Sequence, residues 1–363
     1  MPNQKVLAEK ISDLLISQLP LLPRQSLQDI AQEFPAYFFW DHFVRPSVSR
    51  QNGVPLPTAR VKTGGSHTYR VDLHTDYGEP RGFVTMDAVD ERKIHRHLRS
   101  FNVTRRHLME SWNVNVKEIH MNDSGMEFIH NIVTPRRKSA LMRIVEVVER
   151  AGWTTPDEDD IVNPYGIPYW NTKGATAGAF SGTVPTGHTR FGLDGMPNLM
   201  PTFRNWYDEF EDVSKDDLVE KFARAFHETG WQTYFPMEGY QTFEQMDYII
   251  FTTFELARGI ERIGEAQNQN LGRDVLPYYK GVVTRGHPVV AVHALDEKDD
   301  DVFHGLKLST FHLSVLRNNF LRETPPKALH GIQHNMLEGY WDFVYQLICN
   351  DKRHNFRIEL ASD

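Results

Sequence analysis

Histidine can bind metals and transfer protons, and this sequence contains many histidines, 17 among 363 residues. His330 and His334 are the best-spaced pair, because residues four apart lie on one face of a helix. However, Gly331 lies between them, and no glutamate follows the first histidine as it does in the zinc motif H-E-x-x-H. His95 and His97 would share one face of a strand, but arginines surround them. Since a zinc site needs a third ligand and neither pair has an obvious one, we predict no metal and no cofactor.

Other motifs typical of active sites are incomplete. The segment GAFSG at 178–182 places its serine one position too late for the nucleophile motif G-x-S-x-G. Cys349 lies in an apolar segment, which favours a core position over a nucleophile. The acidic runs at 157–160 and 296–301 lack the glycine and the distal glutamate of a calcium-binding loop. We therefore predict no catalytic residues.

The composition is that of an ordinary globular protein, with 40% hydrophobic and 24% charged residues. The net charge of −8 gives the bulk protein no electrostatic attraction for nucleic acid. One cysteine excludes an internal disulfide and fits a reducing compartment. No apolar run approaches the roughly 20 residues that span a bilayer, and the N-terminus lacks the features of a signal peptide. We expect a soluble protein made in a cytoplasm, without membrane contact.

The N-terminal third combines short helices with an extended excursion. Apolar spacing predicts helices over 6–15 and 24–34, and an aromatic run follows them. That run needs a surface to cover it, for which a second chain is one candidate. The stretch 53–110 has a hairpin-turn signal and a following strand, but it carries too few large aliphatic residues to bury a core. We expect it to lie on a neighbouring subunit. The candidate contact residues are Phe38, Phe39, Trp40, Gly64, Gly65, Tyr69, Val71 and Leu73.

The longest helical pattern runs from Thr134 to Gly152, where Pro135 can start or kink the helix and Gly152 can cap it. Leu141, Ile144, Val145 and Val148 form its apolar face. Its basic residues are mostly off that face, namely Arg136, Arg137, Lys138 and Arg143. They could contact a polyanion weakly, or they could form a solvated face with intersubunit ion pairs.

Further helices are predicted from the capping pair Ser214 and Asp217 to Gly230, and from Thr253 to Gln267. The remainder reads as strands, ending in two extended segments around a charged turn. Between the long helix and this region lies NPYGIPYW at 163–170, which by its turn residues and aromatics is either a binding loop or a rigid joint.

The order of these segments resembles the major capsid proteins of tailed bacteriophages, which have the Hong Kong 97-type fold. The resemblance is carried by NPYGIPYW with its glycine-rich sequel, by VSKDDLVEKF at 213–222 and by QNQNLGRDV at 267–275. FLRETPPK at 320–327 and CNDKRHNF at 349–356 complete it. Together these segments extend over nearly the whole chain.

The resemblance implies an α+β fold that is divided along the chain. Residues 1–52 would be an N-terminal arm, 53–110 an extended E-loop, 111–182 a peripheral domain with a spine helix, 183–315 an axial domain, and 316–363 strands that return to the peripheral domain. In this scheme the 163–170 segment is a joint between domains, formed by Pro164, Tyr165, Gly166, Pro168, Tyr169 and Trp170. Pro135 departs from the family pattern, since it falls inside the expected spine helix.

The implied function is a structural, non-catalytic shell subunit. It would form pentamers and hexamers around double-stranded DNA, with separate scaffold, portal and decoration proteins as possible partners. Its location would be the virion, after assembly in the host cytoplasm. An encapsulin-like nanocompartment shell, a cytoplasmic metal enzyme using His330 and His334, and a tail tube protein are the rival interpretations.

Overall fold

The computed structural model describes residues 36–44, 48–51, 54–57, 61–74, 98–115, 133–157, 159–183, 203–231, 247–267, 282–284, 287–298, 301–328 and 336–361. The helices predicted over 6–15 and 24–34 lie outside these residues. The described strands are β1 (Val48–Gln51), β2 (Val54–Pro57), β3 (Val61–Gly64), β4 (Thr68–His74), β5 (Leu98–Thr104), β6 (Arg106–Asn115), β7 (Ala179–Gly182), β8 (Asn205–Phe210), β9 (Tyr248–Thr252), β10 (Val282–Thr284), β11 (His287–Ala291), β12 (Val302–Lys307), β13 (Phe311–Leu316), β14 (Arg322–Ala328), β15 (Met336–Cys349) and β16 (Phe356–Leu360). The described α-helices are α1 (Thr134–Gly152), α2 (Ile167–Trp170), α3 (Leu218–Thr229), α4 (Phe254–Gln267) and α5 (His293–Asp296), and a π-helical segment covers Trp40–Val44. None of these helices is both long and apolar enough to cross a membrane.

A seven-stranded mixed sheet forms one half of the described structure, in the order β10-β11-β9-β12-β16-β8-β7. All but one residue in each of its central strands β9 and β12 is buried, as expected for strands covered on both faces. Ile250, Phe303 and Phe356 are fully buried in its core, and Phe222 of α3 packs against them. The ring of Phe222 lies 5.0 Å from that of Phe303 in an edge-to-face contact.

A second sheet has the order β14-β15-β13-β3, with β6 paired to β15 as well. The long strand β15 carries both β13 and β14 by antiparallel pairing, and it pairs with all ten residues of β6. Buried and less buried residues alternate along its first half, because the strand covers a core on one face only. Ile144 and Val148 of α1 belong to the core that this sheet shares with the N-terminal segment.

Helix α1 begins at Thr134 with Pro135 in its first turn, so the proline starts the helix and does not kink it. The predicted apolar positions Ile144, Val145 and Val148 are buried. Gly152 differs from the expectation: it is the last helical residue, and Trp153 follows as the cap. Its lack of a side chain makes room for the Phe39 ring, which a Cβ at this position would overlap.

Helix α3 confirms the prediction of a helix that ends at Gly230, which adopts the left-handed conformation with φ of 70°. The capping box is only half formed. The Ser214 hydroxyl accepts from the Asp217 N–H, but the Asp217 carboxylate accepts from the N–H groups of Glu211 and Asp212 instead of returning to Ser214. The predicted helix over 253–267 is confirmed as α4.

The C-terminal segment divides between the two sheets. The return of 316–363 to the peripheral domain stays a prediction. Strands β14 and β15 lie in the sheet with β6 and β13. After the turn at 350–355, β16 instead enters the seven-stranded sheet, between β12 and β8. Apolar Phe356 and Ile358 on this strand are fully buried there, which explains the placement.

Candidate functional site

A buried carboxylate fastens the N-terminal segment to the end of helix α1. Glu149 is 1% exposed, and its carboxylate accepts from the backbone N–H of Phe39 at 3.0 Å and of Trp40 at 2.9 Å. The indole Nε1 of Trp153, one turn later, donates to the same group at 2.9 Å. Burial raises the pKa of Glu149, and the three hydrogen bonds oppose that rise. This anchor was not predicted from the sequence, although a glutamate next to Val148 at the apolar face was a usable signal.

The aromatic residues of this segment pack mainly within the chain. Phe39 is 1% exposed and stacks on Phe43 at 5.0 Å between ring centres, so the structure corrects its assignment to a subunit contact. Phe38 and Trp40 are half-buried against the same core, and Trp40 lies 6.2 Å from Phe343 of β15. Contacts of Phe38 and Trp40 with a second subunit remain a prediction.

Strands β4 and β5 form an antiparallel ribbon, whose described part is seated on its own chain. Val71 is 3% exposed, so its predicted contact with another subunit is corrected to a core position. Phe101 on β5 is equally buried and lies 6.2 Å from Trp170. Tyr69 is half-buried against this core, and Leu73 lies near the end of β4. A few buried residues where the ribbon begins are enough to pack it against its own chain, which the small number of large aliphatic residues in 53–110 did not indicate.

One arginine holds the root of this ribbon to the second sheet. Arg105 is 1% exposed; its Nε donates to the Ser314 hydroxyl at 3.0 Å, and its Nη1 donates to the Ser66 carbonyl. Its guanidinium lies 5.5 Å from the centre of the Tyr69 ring, a cation–π contact. A Cβ on Gly64 would come within 2.8 Å of Nη2, so the predicted turn glycine makes room for this side chain. Gly65, the other predicted turn residue, faces open space.

The 163–170 segment is a packed aromatic cluster. Tyr165 and Tyr169 stack with ring centres 3.9 Å apart, and Trp170 meets Tyr169 edge to face at 5.2 Å. The Trp170 indole donates to the Leu347 carbonyl of β15 at 3.1 Å. Gly166 is buried, and Pro164 and Pro168 are half-buried beside the rings.

The next residues connect this cluster to the other sheet. Asn171 is fully buried and donates from Nδ2 to the Phe356 carbonyl of β16 at 2.7 Å. Thr172 and Asn205 exchange hydrogen bonds, including Asn205 Nδ2 to the Thr172 carbonyl at 2.9 Å. Within ten residues the chain therefore bonds to both sheets, which is the geometry that a joint requires. The role of the segment as a domain joint remains a prediction.

The basic residues of α1 are engaged with partners in the same chain. Arg137 forms a two-pronged ion pair with Glu323 of β14, with one N–O distance of 2.5 Å, and its guanidinium lies 5.4 Å from the Trp341 ring. Such bidentate geometry is among the stronger forms of ion pair.

The other basic residues make weaker contacts. Arg143 pairs with Glu110 at 2.9 Å, and Arg136 donates to the Asn113 carbonyl at 3.1 Å. Lys138 is half-buried on the same helix. These contacts favour the ion-paired alternative for this face, with pairs inside one chain. They reduce the positive charge that is available to DNA.

The described residues contain no group of three or more His, Cys, Asp and Glu side chains that could hold a metal ion. His95, His97, His330 and His334 lie outside the described residues. Burial raises the pKa of the Cys349 thiol to about 12, so this thiol is a weak nucleophile at neutral pH.

No family model and no curated protein matches the sequence. Solved structures do match over nearly the full length of both chains. The capsid asymmetric unit of cyanophage A-1(L) is 13% identical with a TM-score of 0.61, and the match covers 96% of this chain and 99% of that one. The capsid of a native GTA particle is 10% identical with a TM-score of 0.55, covering 94% and 96%.

A third match is the holo-SrpI encapsulin complex from Synechococcus elongatus PCC 7942. It is 7% identical with a TM-score of 0.52, covering 95% of this chain and 94% of that one. At such identities a likeness establishes the fold and nothing finer. The chain has the α+β fold of these shell subunits, and this confirms the Hong Kong 97-type capsid fold that the sequence predicts.

Proposed function

We propose that this chain is the major capsid protein of a tailed bacteriophage, and that it assembles as pentamers and hexamers around double-stranded DNA. The observation that carries the proposal is the match of the complete fold to phage capsid subunits, over 96% of this chain and 99% of the cyanophage chain. Coverage of both chains matters, because a shell subunit uses all of its parts in contacts with neighbours.

The physical properties of the chain support a container that does no chemistry. A head-to-tail contact between copies of one chain closes into rings, from which a shell can be built. A net charge of −8 suits a wall that must not bind DNA tightly during packing and release. A strongly positive inner surface in the assembled particle would contradict this second argument.

In this proposal α1 is the spine helix, the β4–β5 ribbon is the root of the E-loop, and the 163–170 segment joins the peripheral and axial domains. The particle itself is the final location of the protein. Scaffold, portal and decoration proteins are the partners that such a shell would need or could carry, and contact with the packaged DNA is weak and non-specific.

An encapsulin-like nanocompartment is the alternative, and the likeness to the SrpI encapsulin supports it. The two functions differ in what the shell encloses. A phage capsid protects DNA and is encoded beside portal, terminase and tail genes, whereas a nanocompartment encloses a protein that carries a matching tail peptide.

Electron microscopy of the recombinant protein, with light scattering on the same sample, tests the proposal. We expect closed shells or free rings of five and six subunits, either from the protein alone or with the product of a neighbouring gene. Particles should be purified from infected or producing cells and treated with nuclease. Protected DNA would support the capsid, enclosed protein would support the nanocompartment, and failure to assemble under both conditions would rule out both.

A further inference from the structure

The imidazole of His304 is buried where the segment 163–172 meets the seven-stranded sheet. His304 is 1% exposed on β12, and Arg357 of β16 and Phe251 of β9 lie opposite it on the neighbouring strands. Its Nδ1 lies 3.3 Å from Nδ2 of Asn171, the residue that follows the aromatic cluster. A titratable ring therefore takes part in the contact between this segment and the sheet.

The hydrogen bonds of Asn171 determine the protonation of this ring. The amide must present its NH₂ group to the Phe356 carbonyl, because only that group can donate across the 2.7 Å contact. The same NH₂ group has a second hydrogen for Nδ1 of His304, so Nδ1 accepts and carries no proton. Asn171 is fully buried, and its Oδ1 has no hydrogen-bond partner among the described residues. The observed arrangement therefore needs a neutral His304.

The charged groups around the ring also favour its neutral form. Arg357 lies directly opposite on β16, and the ammonium group of Lys298 adds a second positive charge nearby. Glu359, two residues further along β16, already pairs with Arg357 and Lys173, and no carboxylate of the described residues bonds to the ring. Burial, together with Arg357 and Lys298, holds the pKa of His304 well below its ordinary value.

We propose that His304 is an acid-sensitive lock, which holds the segment 163–172 on the seven-stranded sheet while the ring is neutral and releases it when the ring takes a proton from water. The lock is contained in one folded chain. It therefore goes beyond the proposed function and does not depend on assembly. Its target is the segment that bonds to both sheets, so its release would loosen the connection between them.

A proton on Nδ1 is incompatible with the present hydrogen bonds. With the Asn171 amide unchanged, two N–H groups would face each other across 3.3 Å. If the amide turned over, Oδ1 would accept from the new N–H but would also face the Phe356 carbonyl, where Nδ2 now donates at 2.7 Å. Two acceptor oxygens at that distance repel each other. In both cases the bond from Asn171 to β16 is lost, and the charged ring is solvated only if the segment moves away.

The release is local, because the other bonds of the segment involve no group that titrates near pH 6. Thr172 and Asn205 exchange hydrogen bonds through amide, hydroxyl and carbonyl groups. The Trp170 indole donates to the Leu347 carbonyl. Acid does not break these bonds directly, so we expect opening of 163–172 and not unfolding of the chain.

The direction of the pH dependence follows from the two states of the lock. In the closed state the ring stays neutral to well below its ordinary pKa, whereas in the open state it titrates near the ordinary value of about 6.5. Each pH unit below that value therefore favours the open state by up to about tenfold. Above about pH 7 the open state gains nothing from protonation of His304, so the lock no longer responds to pH.

Hydrogen–deuterium exchange of the full-length protein at pH 7 and pH 5, corrected for the intrinsic exchange rates, tests the lock. We expect the protection of backbone amides in peptides that cover 163–172 to fall by more than about tenfold at pH 5. His304→Asn keeps an acceptor oxygen near the position of Nδ1 but cannot take a proton, so its protection there should not change with pH. If that variant does not fold, His304→Gln takes its place.

His42 supplies the matched control, because its half-buried ring packs on Phe251, with ring centres 5.7 Å apart, and Phe251 lies opposite His304. His42→Asn should leave the acid response intact. A second measurement needs no substitution: deuterium exchange at Cε1 of His304, followed by mass spectrometry, reports the protonation of the ring. We expect its midpoint more than about one pH unit below 6.5, and a midpoint at the ordinary value would contradict the lock.

The remaining outcomes each decide against the proposal. Unchanged protection of 163–172 between pH 7 and pH 5 would show that no lock exists. An equal loss of protection along the whole chain would be general acid unfolding. A local loss that persists in His304→Asn and disappears in His42→Asn would make His42 the sensor. None of these results bears on the proposed function, because microscopy tests assembly separately.

Discussion

The ammonium group of Lys352 is buried between Thr183 and Phe203. It is 2% exposed, its Nζ donates to the Thr183 carbonyl, and it lies 5.7 Å from the centre of the Phe203 ring. Because burial removes water from the charge, the pKa of Lys352 is lowered to about 8. Cys349 is the neighbouring titratable group, and it keeps its proton in the range considered below, since its own pKa is about 12.

This lowered pKa makes the stability of the subunit depend on pH in a defined window. Between pH 8 and about 10.4 the unfolded chain holds a proton that the folded chain has lost, so the free energy of unfolding rises with pH. Below pH 8 the cost of the buried charge is present in full. Relative to Lys352→Met, the natural protein should gain at most about 1.4 kcal/mol per pH unit in this window. Urea unfolding of both proteins from pH 7 to 10 checks this, and parallel pH dependences would contradict it.

Gly152 offers a second test at the residue scale. A Cβ at this position would overlap the Phe39 ring, so Gly152→Ala should destabilise the folded protein by about 1–3 kcal/mol through overpacking. Gly264 in α4 is the matched control, because its Cβ would face open space. Gly264→Ala should be neutral or stabilising by up to about 1 kcal/mol, since alanine is the better helix former. Chemical denaturation of both variants gives the comparison; equal effects would show that Phe39 does not need the glycine.

Among the secondary-structure elements, those with a local cause could be predicted from the sequence. Pro135 is tolerated only in a first helical turn, and the spacing of Ile144, Val145 and Val148 identifies one buried face, so α1 was predictable. The place where the β4–β5 ribbon packs against the rest of the chain could not be predicted. It depends on Arg105 reaching Ser314, two residues that are far apart in the chain, and no local pattern encodes such a contact.

The hydrogen bonds by which Glu149 of α1 holds the N-terminal segment can be tested with one substitution. Glu149→Gln keeps one acceptor oxygen but turns an amide NH₂ toward one of the donor N–H groups of Phe39 and Trp40. We expect a loss of about 1.5–3 kcal/mol and faster proteolytic cleavage near residues 36–44. Glu146→Gln is the control, because the Glu146 carboxylate lies on the same helix and accepts a part-buried hydrogen bond from the Tyr37 hydroxyl at 3.2 Å.

If cleavage near residues 36–44 is no faster in Glu149→Gln than in Glu146→Gln, the carboxylate does not hold the segment. A uniform increase over the whole chain would indicate general unfolding, which is distinguishable by mapping the cleavage sites with mass spectrometry.

For the molecule as a whole, the two sheets are interlocked by the order of the chain. Strand β13 follows β12 after a single short turn, yet β12 lies in the seven-stranded sheet and β13 in the other. Strand β15 then stays with β13, and β16 crosses back. The segment 163–172 repeats this pattern, since it bonds to β15 through Trp170 and to β16 through Asn171. The burial of the aromatic residues in 163–170 could be predicted from the sequence, but the second crossing could not, because the pairing partners of strands are not encoded locally.

The position of β16 makes the last residues of the chain essential to the seven-stranded sheet. Although it comes last, β16 lies inside the sheet, with antiparallel pairing to β12 and parallel pairing to β8. A chain that ends at Cys349 would leave both strands with unpaired backbone groups and would remove Phe356 and Ile358 from the core. We expect this truncated chain to be insoluble or to lack cooperative unfolding.

A chain that ends at Ala361 is the matched control and should unfold like the full protein, because it retains every residue of β16. Circular dichroism with thermal unfolding compares the two chains. A soluble, cooperatively folded protein ending at Cys349 would mean that the sheet closes without its last strand. In that case the interlocking of the two sheets would not be what holds the molecule together.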